Sequence, residues 1–244
     1  SVVGSTVKIM AIVKANAYGH GILKVAETLL NEGAYSLGVA YLEEALYLRK
    51  NGIKAPILVL GAINVEQLED FIKNDIEITT SSIEKSEAIS AVAQKMNKLA
   101  VVHLKIDTGL GRIGVQWDRA HAFVDKTFNL PNVHVKGVFS HLAKSDCDSV
   151  LTNLQIKRFN DVLTYIKEQG YQFEYAHLAN SEGIINYPNA HYNMVRPGLI
   201  LYGYASKKSF AKFSLKPVMS LFTKVAYFKV LPAGAGVGYN HTYY

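Results

Sequence analysis

Ala11-Ile12-Val13-Lys14-Ala15-Asn16-Ala17-Tyr18-Gly19-His20-Gly21 is the stretch whose reading decides the fold. Residues 8–13 are mostly apolar and alternate poorly with polar positions. A short apolar run followed at once by glycines reads as a strand buried on both faces, the kind found in parallel sheets covered by helices. Lys14 then stands at the carboxyl end of that strand, at the edge of an apolar layer. Burial there disfavours the ammonium and lowers its pKa, which is what a Schiff-base lysine needs. A lysine that snorkels along a strand end is the plain structural alternative. Tyr18 follows after a short loop, and Gly19 and Gly21 open a helix.

Outward from this stretch, short apolar runs alternate with helical patterns. Ile22, Leu23, Val25, Ala26, Leu29 and Leu30 repeat at helical spacing, and Gly33 stops that helix. Strands are expected at 35–40, 57–60, 76–80, 99–106, 133–140, 173–178 and 192–195. Helices are expected at 42–50, 65–73, 118–128 and 150–169, with a short one opening near Ser181. Ser81 and Glu84 form a capping-box pattern at the head of a further helix that runs to about Asn97. Eight strands alternating with helices indicate an α/β fold of the (β/α)8 TIM-barrel type. A doubly wound open sheet is the alternative, but eight strand–helix units argue against it. A barrel places its chemistry at the carboxyl ends of the strands.

Composition narrows the function classes. Of 244 residues, 49% are apolar and 19% charged, so a sizeable core is within reach. The single cysteine, Cys147, excludes an intramolecular disulfide and fits a reducing, cytoplasmic setting. No run approaches membrane-span length, and the N-terminus lacks a signal-peptide pattern. The net charge of +6 is spread out and does not cluster with aromatics, which disfavours nucleic-acid binding and suits an anionic small molecule. No His, Cys and Asp cluster has metal-ligand spacing.

The remaining candidate residues fall at strand ends. Lys105 and Arg112 bracket the strand at 99–106 and its glycine-containing loop, His141 follows the strand at 133–140, and Asn180 and Ser181 follow the strand at 173–178. Arg196, Gly198 and Leu199 follow the last strand. Each has an ordinary reading: a solvated loop arginine for Arg112, a satisfied core histidine for His141, a helix N-cap for Ser181, a structural salt bridge for Arg196. Ser181 and the backbone N–H groups of Gly198 and Leu199 could equally cradle an anion.

The segment from Lys14 to Gly21 resembles the pyridoxal-phosphate lysine motif of the alanine racemases. The resemblance extends through Lys105-Ile-Asp-Thr-Gly-Leu-Gly-Arg112, Phe139-Ser-His-Leu142, His177-Leu-Ala-Asn-Ser181, Val195-Arg-Pro-Gly198, Phe228-Lys-Val-Leu-Pro232 and Gly236-Val-Gly-Tyr239. It implies a pyridoxal 5'-phosphate enzyme that interconverts L- and D-alanine for cell-wall synthesis, working as a homodimer. Lys14 is then the Schiff-base residue and one of two acid–base groups. Tyr18, Ser181, Gly198 and Leu199, with Asn180 beside them, bind the phosphate. Arg196 faces the pyridine nitrogen with His141 behind it, and Arg112 holds the substrate carboxylate or the cofactor phenolate. Leu60 lines the cofactor ring, and Lys105 is a site of possible carbamylation. Leu199 stands where isoleucine is common in the family, a departure that a backbone contact should survive. A serine or broad-specificity racemase, a barrel-type decarboxylase and a non-catalytic cofactor-binding homologue are the alternatives.

Past Phe213 the pattern changes. Residues 217–230 are rich in β-formers and lack helical stops, so residues 1–214 read as the barrel and 215–244 as the first strands of an incomplete all-β domain. About thirty residues with two strands cannot bury a core alone. Residues 1–6 are too short for the helix that precedes the family's first strand, and the Gly-Tyr-Ala-Asp-Gly-like segment with the family's second catalytic base is absent. The expectation is that this chain binds the cofactor but does not racemise alanine at a useful rate.

Overall fold

The computed structural model describes residues 3–210 and 214–244. Ser1, Val2 and Phe213, which the sequence reading used at the chain's opening and at the change of pattern, lie outside the described residues. The strands, in chain order, are β1 (Lys8–Ile12), β2 (Ser36–Val39), β3 (Ile57–Val59), β4 (Glu77–Thr80), β5 (Ala100–Asp107), β6 (Val115–Gln116), β7 (Val133–Phe139), β8 (Tyr175–His177) and β9 (Met194–Val195). Neighbouring strands pair in parallel from β1 to β5, then β5 with β7, β7 with β8, and β8 with β9. The ring closes where Lys8 and Ile9 of β1 pair with Met194 and Val195 of β9. This is the (β/α)8 barrel that the alternation of elements predicts, and the closing pair excludes the open sheet.

The principal helices are α1 (Ile22–Asn31), α2 (Leu42–Lys50), α3 (Leu68–Lys73), α4 (Ile83–Lys95), α5 (Ala120–Phe128), α6 (Ser149–Glu168) and α7 (Ser181–Asn186). They bury their apolar stripes against the outward faces of the strands. Ala11, Leu37, Ile57, Ile78, Val102, Leu104 and Ile106 face that layer, and Leu48, Phe71, Phe123 and Phe159 meet them from the helices. The opposite parity fills the barrel. Met10, Ile12, Leu58 and Met194 form a small apolar group of their own there, and His103, Lys105, Phe139, His177 and Arg196 share that interior. A barrel interior is a packed core rather than a channel, so polar groups in it need partners.

Four details differ from expectation. The short strand β6, which the sequence reading missed, pairs with the end of β5 and brackets the loop that carries Arg112. Helix α4 is capped by Ser82, whose side chain accepts from Lys85 N at 3.2 Å, so Ser81 and Glu84 form no capping box. Helix α7 is capped by Asn180, not by Ser181. Residues 214–232 carry no helix or strand, and Leu221 is 95% and Phe228 81% exposed. The expected strands at 217–230 are thus absent among the described residues, since side chains suited to a sheet gain nothing without partner strands and a facing layer. A single antiparallel bridge joins Val237 and Tyr243.

Candidate active site

Lys14 leaves β1 into an unusual turn. Ala15, Asn16, Ala17 and Tyr18 all have φ between 52° and 55°, a left-handed turn made without glycine. Such residues cost about 1–2 kcal/mol each and persist only where neighbours impose them. Here the Asn16 side chain accepts from Ile22 N (2.9 Å), and Asn16 N donates to Glu44 Oε1 (3.3 Å). Glu44 is itself fixed by Ala40 N at 2.8 Å. The turn swings Tyr18 back over the barrel mouth, its ring 5.0 Å from that of Tyr202.

A cavity of about 210 Å³ opens at this carboxyl end, and all eleven residues predicted for the site line it. Lys14, Tyr18 and Leu60 come from the first and third strand ends, Lys105 and Arg112 from β5 and its loop, and His141 from the end of β7. Asn180, Ser181, Arg196, Gly198 and Leu199 close the opposite side. Ile12, Phe139 and Glu182 also line the cavity and were not singled out from the sequence. Four of these side chains are cationic: Lys14, Lys105, Arg112 and Arg196. The one carboxylate, Glu182, is turned to Ser206 N (2.6 Å), the Ser206 and Ser209 hydroxyls and Asn186. The result is a cationic recess without a free counter-charge, a setting for a ligand with several anionic groups.

Burial, and then the charges of Arg112 and Arg196, pull the Lys14 ammonium below its ordinary pKa, with Glu44 opposing. Its amine makes no hydrogen bond or ion pair among the described residues. Lys105 is only 3% exposed and lies 4.5 Å from the Phe139 ring centre. Burial, then Arg196 and Arg112, push its pKa well below the ordinary lysine value.

Arg196, 3% exposed, is not in the salt bridge that the sequence left open. Its Nη1 donates to His177 Nδ1 (2.9 Å) and His177 O (2.7 Å). Its Nη2 donates to Ser140 O (2.5 Å), Leu178 O (3.2 Å) and His141 Nδ1 (3.3 Å). Nε–H has no protein partner among the described residues. Burial and Arg112 bring the guanidinium down to about 9, so it stays charged at neutral pH. His141 is held well below the ordinary histidine value by burial and by the surrounding cations, Arg196 first. It is therefore neutral, and its Nδ1 accepts from Arg196.

Arg112 is exposed and free of protein partners among the described residues, so the solvated-loop reading describes its side chain, while the loop backbone is tied down by hydrogen bonds. Asp107 Oδ1 accepts from Gly109 N (2.9 Å), Leu110 N (3.0 Å) and Gly111 N (3.2 Å). From α6, Arg158 donates to Thr108 O at 2.9 Å.

Ser181 is the first residue of α7, and its Oγ accepts from Gly198 N (3.0 Å) and Ile200 N (3.4 Å). A Cβ on Gly198 would come within 2.9 Å of the Tyr18 hydroxyl. Glycine there keeps open a corner lined by a phenol, a serine hydroxyl and backbone N–H groups, the donor set of a phosphate site. A phosphate at this corner, an amine at Lys14 and an unspent N–H at Arg196 match the three ends of pyridoxal phosphate, so the residues present fit that group. Among the described residues no cluster of His, Cys, Asp and Glu suits a metal ion, and no helix is long and apolar enough to cross a membrane.

Residues 1–206 match the family profile described as "Alanine racemase, N-terminal domain". An alanine racemase of Clostridium tetani is 43% identical over 242 residues, covering 97% of this chain and 62% of that protein. One from Carboxydothermus hydrogenoformans is 40% identical over 237 residues, covering 96% of this chain and 64% of its own. Among solved structures, alanine racemase from Bacillus anthracis with bound L-Ala-P superposes with a TM-score of 0.90 at 34% identity, over 99% of this chain and 64% of that one. Alanine racemase of Clostridium difficile 630 in complex with cycloserine gives a TM-score of 0.86 at 34% identity, over 88% of this chain and 60% of that one. The chain thus spans a little under two thirds of the length of these relatives, and it belongs to the alanine racemase N-terminal domain family.

Proposed function

We propose that this chain is the pyridoxal-phosphate-binding barrel of an amino-acid racemase acting on alanine. The observation that carries the reading is the Lys14 amine: unpartnered, lowered in pKa and aimed into a cavity of fixed cations. When bound, the cofactor supplies an electrophilic aldehyde and a conjugated ring able to take up the charge left at Cα. Lys14 would hold the aldehyde carbon and move the Cα proton on its own face. Tyr18, Ser181, the N–H group of Leu199 and that of Gly198, which would turn from Ser181 Oγ to the ligand, would hold the phosphate, with Asn180 fixing the start of α7. Leu60 would line the ring. Arg196 would donate Nε–H to the ring nitrogen while His141 keeps one edge of its guanidinium in place. A donor there leaves the ring nitrogen unprotonated and the ring a weaker electron sink, which suits racemisation over transamination. Arg112 would clamp the substrate carboxylate or the phenolate.

Lys105, desolvated and held well below the ordinary lysine pKa, would take up CO2 as a carbamate with release of a proton, and that anion would pair with Arg112. With 13C-bicarbonate, a carbamate carbonyl signal should appear in the parent and vanish in Lys105→Met; a signal in both, or in neither, counts against it. The wider reading rests on family relationship. It is a cytoplasmic homodimer supplying D-alanine to the cell wall, with 1–214 as barrel, 215–244 as the opening of a β-domain, and the second base coming from that domain of a partner subunit.

The direct test is titration with pyridoxal phosphate. The parent should develop the near-ultraviolet-to-visible band of a lysine-bound cofactor, fixed by borohydride, and Lys14→Ala should not. An equal band in Lys14→Ala would overturn the assignment.

A further inference from the structure

Below the cavity, five polar side chains run in an unbroken line through the barrel. Lys136 Nζ donates to Glu77 Oε1 at 2.5 Å. Glu77 Oε2 lies 3.0 Å from His103 Nε2, His103 Nδ1 lies 2.9 Å from His177 Nε2, and His177 Nδ1 lies 2.9 Å from Arg196 Nη1. The line starts at the amino end of β4 and finishes just past the carboxyl end of β9. Of its members only Arg196 lines the cavity. Two backbone features admit it. The register between β5 and β7 slips between Val102 and His103, which leaves Lys136 unopposed on β5 and turned to Glu77. At Gly137 any Cβ would run into the His103 ring.

Donor counting fixes the direction of every bond. A guanidinium only donates, so His177 Nδ1 must accept and its proton must sit on Nε2. That proton is donated to His103 Nδ1, so the His103 proton sits on Nε2 and is donated to Glu77. The carboxylate, which only accepts, ends the line. A protonated His103 would set N–H against N–H at His177, and the reversed line would do so at Arg196; a buried donor facing a donor is costly. Burial opposes charge on Glu77, but hydrogen bonds from His103 and Lys136 outweigh it and hold the carboxyl down to about 2. Burial, then the Arg196 charge, keep His177 well below the ordinary histidine value.

We propose that Glu77 is a positioning residue for Arg196: acting through His103 and His177, it sets the direction of the whole line and so holds the guanidinium with Nε–H free for a ring-nitrogen acceptor in the cavity. This rests on the cofactor reading above. Glutamine at position 77 would break the direction. Lys136 would claim its carbonyl oxygen, its NH2 would fall to His103, and the reversed line would end with His177 Nδ1–H against Arg196.

The test reads histidine tautomers by long-range 1H–15N correlation in the cofactor-free, 15N-histidine-labelled chain. Both His103 and His177 should carry the proton on Nε2 in the parent, and His177 should shift to Nδ1–H in Glu77→Gln. Affinity for pyridoxal phosphate should fall about tenfold in that variant, the scale of a hydrogen bond to a charged group. Affinity for an analogue with C–H in place of the ring nitrogen should hold. A parent His177 protonated on Nδ1, unchanged tautomers in Glu77→Gln, or equal losses for the two ligands would each overturn the proposal. The parent tautomers decide alone if the variant does not fold. The expected tautomers in a parent that takes up no pyridoxal phosphate would uphold the hydrogen-bond order and overturn the functional reading instead.

Discussion

Lys136, near the amino end of the barrel, sits 2.5 Å from a Glu77 oxygen, whereas Lys105, near the carboxyl end, has no carboxylate within ion-pair distance among the described residues. Both point into the interior, and burial lowers both. At Lys136 the hydrogen bond and charge of Glu77 outweigh burial and raise the pKa. At Lys105 Arg196 and Arg112 add to burial and drive it well below the ordinary value. The difference teaches that a counter-ion, more than depth, separates a lysine that holds a structure from one ready for chemistry. The carboxyl end of this barrel gathers cations and withholds carboxylates, as a site that awaits an anionic ligand must.

The comparison can be broken from either side. The largest effect is expected at Phe139, whose ring lies under Lys105, stacks on His177 at 4.8 Å and sits 5.3 Å from the Arg196 guanidinium. It stands where a counter-ion would otherwise be, and Phe139→Ala should cost about 3–5 kcal/mol by chemical denaturation. A loss below about 1 kcal/mol would mean that the cations are solvated and the contrast is overstated. Next, Lys136→Met strips Glu77 of its cation and should destabilise by about 3 kcal/mol, the low end for breaking a buried pair.

Smallest, Lys105→Met in CO2-free buffer should stabilise the fold, on the order of 1 kcal/mol at neutral pH. Its pH dependence has a definite sign. The folded pKa of Lys105 lies below the unfolded one, so the unfolded chain binds more protons and the parent gains stability as pH rises toward about 10.5. The advantage of Lys105→Met should therefore narrow with rising pH; a constant or widening gap would contradict an unpartnered Lys105.

Much of this was legible in the sequence. Apolar periodicity gave α2 (Leu42–Lys50) to the residue, and the alternation of runs gave the barrel. Strand-end position then placed Lys14, Arg112, His141 and Arg196 around one cavity. The limits are physical. Strands buried on both faces read as continuous apolar runs, so sequence alone does not say which parity of β5 turns inward, and His103 passed unnoticed two residues before Lys105. Glu77 meets His103 only because β4 pairs with β5, and Lys136 reaches Glu77 only through a one-residue slip. Whether Arg196 finds a carboxylate is a fact of three-dimensional neighbours. Adjacent Ser81 and Ser82 offer the same acceptor, and backbone geometry chose Ser82. The left-handed turn after Lys14 had no glycine to announce it, and the β-formers of 217–230 announced strands that the described residues do not form.

The central claim is that the unpartnered amine of Lys14 is the one prepared for a cofactor aldehyde. The direct measurement is borohydride reduction of the pyridoxal-phosphate-treated chain at neutral pH, followed by peptide mass mapping that separates Lys14, Lys105 and Lys136. The account predicts the reduced cofactor's mass on the Lys14 peptide alone, at one equivalent per chain. The mass on Lys105, or spread over surface lysines with Lys14 untouched, would contradict it.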